Sequence, residues 1–280
     1  MEQGIIVQKV LNNNVVIAAH PTYKEVVLIG KGIGFDRKKG DLVPLDIADK
    51  TFLLKNEHEK EQYVNLLNYI DKEIIDFMND VLFYIEERIG QDLNEHIHVA
   101  LTDHITFAIN RVHKNIHFSN PFLFEIESLY PKEYLVAKEV VEMLNTKFAI
   151  TFPEGEIGFI ALHIHSAVTN KSIKDINQHH KLITQLIQVI KDSLEITIEK
   201  GNVNYNRLIQ HLHRTIERVH LDEKLGKQNN LANMLKKTYP LCYNLAWKLI
   251  KVMQKELNRE VNETEALYLT IHLQRLTNNI

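Results

Sequence analysis

The sequence predicts a multidomain protein: a small antiparallel β module at the N-terminus, followed by two copies of one all-α helical-bundle domain. Three observations lead there. Glycine is concentrated at the start, where residues 1–55 hold Gly4, Gly30, Gly32, Gly34 and Gly40, five of the ten in the chain. The same segment carries eight Lys and Arg against six Asp and Glu, whereas the remaining residues carry 25 against 30 of the totals of 33 and 36. Finally, the chain beyond this boundary repeats itself at a distance of about 108 residues.

The β module is read from alternation and turns. "GIIVQKVL" and "NVVIAAH" flank Asn12–Asn13–Asn14, and asparagine tolerates the left-handed backbone of tight turns. "EVVLIGKGIGF" reads as a third strand ending in spaced glycines, and "KTFLL" as a fourth. A sheet this small buries little apolar surface alone, so a dimer of sheets is expected. From Glu57 the periodicity becomes helical: "EQYVNLLNYIDKEIIDFMNDVLFYIEERI" spaces its apolar residues by three and four. Pro121, Pro131, Pro153 and Pro240 fall between such segments.

The repeat is specific. "PEGEIGFIALHIHSAV" (Pro153–Val168) is echoed by "NETEALYLTIHLQRL" (Asn262–Leu276), pairing Glu154 with Glu263, Glu156 with Glu265, Phe159 with Tyr268 and His163 with His272. "LYPKEYLVAKEV" (Leu129–Val140) matches "TYPLCYNLAWKL" (Thr238–Leu249). "LTDHITFAINRVH" (Leu101–His113) matches "LIQHLHRTIERVH" (Leu208–His220), pairing His104 with His211 and Arg111 with Arg218. The expected domains are residues 1–60, 61–172 and 173–280, with a linker near "TNKSIKDINQHH".

Composition excludes several classes. At 280 residues the chain has room for two or three domains, and its hydrophobic and charged fractions are those of an ordinary globular protein. No apolar run approaches the roughly 20 residues of a membrane span, and "MEQGIIVQKV" lacks a signal-peptide core. Cys242 is the single cysteine, which rules out an internal disulfide framework and fits a reducing cytoplasm. The net charge of −3 argues against bulk nucleic-acid binding.

Each repeat therefore carries two histidines at equivalent places: His104 and His163, then His211 and His272. They could be metal ligands, acids or bases, phosphoryl acceptors, or packing, and a lone histidine on an apolar face is more often a hydrogen-bonded core residue. His58, His179 and His180 are expected to be solvated. Spacing weakens the metal reading, because His163 and His165 are two apart and point about 200° apart on a helix. HExxH and GxxxxGK[ST] are both absent, and Cys242 sits in a packing sequence. No metal or cofactor and no catalytic turnover are expected. Phosphoryl acceptance remains, since neutral imidazole is a good nucleophile and phosphorylation adds close to two negative charges. Glu156 and His163 are seven residues apart, as are Glu265 and His272, so each pair shares a helix face. That face is expected beside the repeat's other histidine and a dimer interface, where Arg111 or Arg218 would stabilise a phosphate.

Together "KVLNNNVVIA…GKGIGF", "ALTDHITFAI", "EGEIGFIALHIHSA" and "YLTIHLQRL" resemble the BglG/LicT/SacY family of bacterial transcriptional antiterminators, over essentially the whole chain and in order. The resemblance implies an N-terminal co-antiterminator RNA-binding domain followed by two phosphotransferase-system regulation domains. It implies a homodimer that grips an antiterminator RNA hairpin and so keeps a terminator from forming. Carried over residue by residue, Lys9, Asn12, Asn14, Gly30, Lys31, Gly32 and Phe35 match the family's RNA-contacting motif. Lys31 stands where some relatives have arginine, keeping the charge without the planar fork. His104, His163, His211 and His272 match the regulatory phosphorylation sites, with His165 and His213 as extra neighbours. The phosphocarrier HPr and a sugar-specific enzyme II, expected to be that for glucose, are the implied partners. The rival is a phosphotransferase-regulated DNA-binding activator, which should begin with a helix-turn-helix. A metal-dependent hydrolase is a third class, separable by metal analysis.

Overall fold

A computed structural model describes residues 4–13, 15–22, 24–30, 32–48, 50–53, 70–94, 96–198, 202–223, 226 and 229–277. The expected onset of helix at Glu57, and His58, lie outside them. The architecture is a small antiparallel sheet followed by a duplicated set of helices.

Five strands, β1 (Gly4–Asn12), β2 (Val15–His20), β3 (Lys24–Ile29), β4 (Leu42–Pro44) and β5 (Lys50–Leu53), form one sheet in the order β4-β1-β2-β3-β5. All neighbours are antiparallel. Two features depart from the sequence expectation. The third strand stops at Ile29 instead of running through the glycines to Phe35, because Gly32 adopts φ +74° and the segment turns back on itself. Ile33 N–H donates to the Gly30 carbonyl and Phe35 N–H to that of Gly32. The second departure is β4, a three-residue strand that Pro44 confines to the sheet edge.

Alternation along β1 buries Ile5 and Val7 while leaving Ile6 exposed. On one side Ile5, Val7, Val16, Ala18, Val26, Leu28, Ile33 and Val43 pack together. On the other, Val15, Ile17, Val27 and Ile29 pack with Leu11 and with Val99.

The helices among the described residues are α1 (Lys72–Ile89), α2 (His96–His113), α3 (Leu123–Leu129), α4 (Pro131–Phe148), α5 (Gly155–Thr169), α6 (Ile173–Leu194), α7 (Val203–His220), α8 (Asn229–Thr238), α9 (Pro240–Leu257) and α10 (Thr264–Thr277). The duplication is visible in their lengths. α2 and α7 each have 18 residues, as do α4 and α9, which start on Pro131 and Pro240. Proline suits that first position because its missing N–H would have no partner there. Asp71, Ser172 and Asn202 cap α1, α6 and α7 by accepting backbone N–H groups, and Gly90, Asn170 and Asn258 end α1, α5 and α9 in the left-handed region.

The chain divides into two compact units, residues 1–117 with 139–152, and residues 118–138 with 153–280. In the first, Glu139 takes a two-point salt bridge from Arg88 and a 3.0 Å bond from the Tyr84 hydroxyl, and Lys147 pairs with Glu73 at 2.7 Å. The second is organised around Leu186, Ile190, Leu208, Leu212, Leu249, Ile250, Leu269 and their neighbours. Free Cys242 is buried among them, as its sequence context suggested. No helix among the described residues is long and apolar enough to cross a membrane.

Candidate functional site

Two places carry chemistry. The first is the end of the sheet where the β1–β2 turn meets the turns that follow β3. Gly34 N–H donates to the Asn13 carbonyl at 2.8 Å, which joins the asparagine turn between β1 and β2 to the glycine turns after β3. Lys9 is exposed on β1 beside a register irregularity, and Asn12 ends β1 opposite Val15. Gly30 is buried, Gly32 is exposed, and Phe35 stands 61% exposed on the turn. An aromatic ring that far out of the core contributes little to packing and presents a face to a ligand. Asn14 and Lys31 lie outside the described residues.

The second place is the second helical repeat. His211 on α7 and His272 on α10 stack with ring centroids 4.6 Å apart. Tyr268, one turn before His272, meets His211 edge-on at 6.1 Å. His211 Nε2 is 3.5 Å from Glu265 Oε2, and the Glu265 side chain is only 2% exposed. That carboxylate is fully engaged: Arg218 donates Nε to Oε1 at 2.7 Å and Nη2 to Oε2 at 2.9 Å, while the Thr215 hydroxyl donates to Oε2 at 2.8 Å. A bidentate guanidinium supplies the hydrogen bonds that a carboxylate loses to water on such burial.

Burial pushes the His211 pKa down to about 3, with His272, Arg218 and Arg214 adding to it. His272 is lowered as well, first by burial and then by Arg275 and Arg207. Both rings are therefore neutral near pH 7, the form in which imidazole carries a nucleophilic lone pair. In the first repeat, His104 is half-buried on α2 and His163 half-buried on α5. Arg111, the counterpart of Arg218, lies over the exposed Phe107 ring at 5.0 Å.

His179 and His180 are not solvated. They are 7% and 1% exposed, because α6 turns them inward onto other elements of the same unit. His180 packs against Phe122 and Tyr130, and His179 Nε2 stands 2.8 Å from His220 Nε2. The two extra histidines join this network. The His165 Nδ1 is 2.9 Å from Glu133 Oε1, and Tyr130 links the His165 ring to His213. Flanking lysine and glutamine made "QHHK" look like a solvated stretch. Only the long-range contacts reveal otherwise.

Comparison with known proteins gives these geometries their context. The family model described as "CAT RNA binding domain" matches residues 5–61, and that described as "PRD domain" matches residues 79–167 and again 184–276. The "PtsGHI operon antiterminator" of Bacillus subtilis (strain 168) is 53% identical over 280 residues, covering all of both chains. The "GlcA/glcB genes antiterminator" of Staphylococcus carnosus (strain TM300) is 38% identical over 97% of this chain and 96% of its own. A crystal structure of GlcT CAT-PRDI matches with a TM-score of 0.55 and 56% identity, covering 59% of this chain and 99% of that one. An RNA-binding β module followed by duplicated helical regulatory domains defines a class of regulator, and the chain belongs to the BglG/GlcT antiterminator family.

Proposed function

We propose that the chain is an RNA-binding transcriptional antiterminator for a glucose transport gene or operon, controlled by histidine phosphorylation from the phosphotransferase system. Its domains on this reading are residues 1–60 for RNA binding, with 61–172 and 173–280 for regulation. Lys9, Asn12, Asn14, Gly30, Lys31, Gly32 and Phe35 contact the hairpin. Lysines hold phosphates, amides reach the 2′-hydroxyls in the wide minor groove of A-form RNA, and Phe35 stacks on an unpaired base. His104, His163, His211 and His272 accept phosphoryl groups from HPr and from a glucose-specific enzyme II. The protein works in the cytoplasm as a homodimer and turns over no substrate.

The observation that carries this reading is the neutral, stacked His211–His272 pair, set in the second of two matched regulatory domains behind a β module with an outward-facing aromatic. A DNA-binding activator would need a helix-turn-helix in place of that module. The test has two arms. A gel shift of residues 1–60 against leader RNA hairpins should show tight, hairpin-dependent binding. Incubation of the full chain with enzyme I, HPr, the glucose-specific enzyme II and phosphoenolpyruvate should place acid-labile phosphate on the four histidines. A module that ignores every leader hairpin, or a chain that takes up no such phosphate, would reject the corresponding half.

A further inference from the structure

The second repeat sets four arginines around its histidines, and the aligned positions of the first repeat keep one of them. Arg214 and Arg218 act on His211, and Arg207 and Arg275 on His272. Arg207, Arg214 and Arg275 are exposed, whereas Arg218 is turned inward onto Glu265 and Thr215. The repeats align with an offset of 107 on α2/α7 and of 109 on α5/α10. The first-repeat counterparts of the four arginines are therefore Ala100, Phe107, Arg111 and Ser166. Three of the four cations are missing there. The Thr215 position is Ala108, so the hydroxyl that steadies the carboxylate is missing as well.

We propose that the second repeat is a built phosphoryl-receiving site in which Arg218 is a counter-ion held in reserve by Glu265. A phosphoryl group arriving on His211 or His272 draws Arg218 away from the carboxylate. The inference rests on the reading that these histidines accept phosphoryl groups. In the transfer, an imidazole lone pair forms the new N–P bond as the N–P bond of the donor's phosphohistidine breaks, its electron pair returning to the donor ring. The acceptor's other nitrogen keeps its proton.

Charge then decides the rest. The phosphoryl oxygens bring close to two negative charges to a ring whose Nε2 is 3.5 Å from a buried carboxylate. One guanidinium fork cannot satisfy both anions, and the phosphoryl group offers more acceptor oxygens and more charge than the carboxylate. Arg218 exchanges partners. Glu265, stripped of its two-point salt bridge, keeps only Thr215 in a dry site, a poor place for a lone carboxylate. Glu265 sits in the first turn of α10, and Arg218 in the last turn of α7. The exchange therefore acts on the contact between these two helices.

The experiment compares the lifetime of phosphohistidine in the full chain and its variants. The protein is phosphorylated with HPr, enzyme I and phosphoenolpyruvate, or with phosphoramidate as a small-molecule donor. The donor is then removed, and loss of phosphate at His211 and His272 is followed by mass spectrometry. Arg218→Gln should lose the phosphoryl group about tenfold faster than the unaltered protein, the worth of a charge-assisted contact, and Arg218→Lys should fall between. Glu265→Gln should lose it more slowly, because Arg218 is then free from the start. Opposite signs matter here, since simple damage to the fold would move both variants the same way. The double variant Arg218→Gln with Glu265→Gln leaves no unpaired buried charge, and it should behave like Arg218→Gln. Phosphate on His211 or His272 with one lifetime in all variants would overturn the exchange and leave phosphorylation control standing. No phosphohistidine from either donor would remove both.

Discussion

The ring of Tyr130 stacks on that of His165 with centroids 3.8 Å apart, while its hydroxyl stands 3.2 Å from His213 Nε2. The residue before α4 thereby ties α5 of the first repeat to α7 of the second, inside one compact unit. Around it lie His180, edge-on to Tyr130 at 5.7 Å, and Glu217, approached by Lys171, His179 and His213. Both nitrogens of His180 are buried with no hydrogen-bond partner among the described residues.

This network makes stability depend on pH. Burial pushes His180 down to about 3, reinforced by His213, His165 and His179. Burial pushes His213 down to about 4, against the opposing pull of Glu217. Both values lie below the roughly 6.5 of an unfolded histidine. Their contribution is complete above about pH 6.5 and is lost as pH falls toward the folded values, because only the unfolded chain takes up protons there. Each such histidine adds a slope of up to ~1.4 kcal/mol per pH unit in that window. Urea midpoints at pH 7.5 and 5.5 should show the acid loss. His180→Leu should shrink it while costing little at pH 7.5, since it removes a buried group with unpaired nitrogens. A variant with the same pH dependence as the unaltered protein would show that His180 is not among the groups responsible. His211, also held near 3, should keep part of the dependence in either case.

A second prediction concerns Gly158. A Cβ there would lie 2.7 Å from Asn120 Nδ2 and 2.9 Å from Leu123 Cδ1. The close approach lets α5 pack on the turn that leads into α3. Asn120 is engaged, its Oδ1 accepting the Phe122 N–H at 2.9 Å, so it cannot simply swing aside. Gly158→Ala should destabilise by about 1–3 kcal/mol, the usual cost of overpacking, with an unchanged denaturant slope. The equivalent position of the second repeat holds Leu267, which is buried. A midpoint equal to that of the unaltered protein would mean that the turn yields freely.

These sites differ in how far the sequence disclosed them. The duplication was legible because Tyr-Pro and the histidine-bearing helices recur in order, and the helix starts at Pro131 and Pro240 follow from proline's preference for the first turn. The strands β1, β2 and β3 were legible from β-branched runs between turn residues. β4 was not, because three residues cannot establish an alternation. The Glu265–His272 helix face was legible from the seven-residue spacing. That Glu265 is locked by Arg218, 47 positions earlier, depends on which helices pack together, and local pattern does not encode it. The same applies to His180, whose apolar neighbours Phe122 and Tyr130 come from a distant segment.

A third prediction addresses the first repeat, where the sequence supplies one arginine in place of four. His104 is half-buried, follows the exposed Asp103, and is one turn before the exposed Phe107. On the proposed function, phosphorylation of this repeat by the sugar-specific enzyme II in the absence of sugar silences the protein, and a carboxylate at this point imitates that charge. In a reporter strain, His104→Asp should lower antitermination with or without sugar, while His104→Ala should leave the protein active without sugar. Circular dichroism should show both variants folded. If both behave like the unaltered protein, His104 is not the regulatory residue of its repeat.

The last prediction returns to the turns after β3. Phe35 is 61% exposed and follows Gly32, whose φ of +74° sets the turn. Its N–H is held by the Gly32 carbonyl at 3.0 Å, so the backbone of the turn stays in place when the side chain is shortened. Phe35→Ala removes an outward ring and almost no core contact, and the thermal midpoint of the protein should stay within a few degrees. RNA affinity should fall by the worth of one base–aromatic stack, about 1–3 kcal/mol, or roughly fivefold to more than a hundredfold. Lys9→Ala removes a charge instead of a stacking surface, so it should weaken binding and also reduce the salt dependence. Phe35→Ala should leave the salt slope unchanged, and Phe35→Tyr should restore most of the affinity. Titrations of a labelled leader hairpin at several salt concentrations separate the two behaviours. Were Phe35→Ala to unfold the module while Phe35→Tyr bound RNA no better than Phe35→Ala, the ring would belong to packing after all.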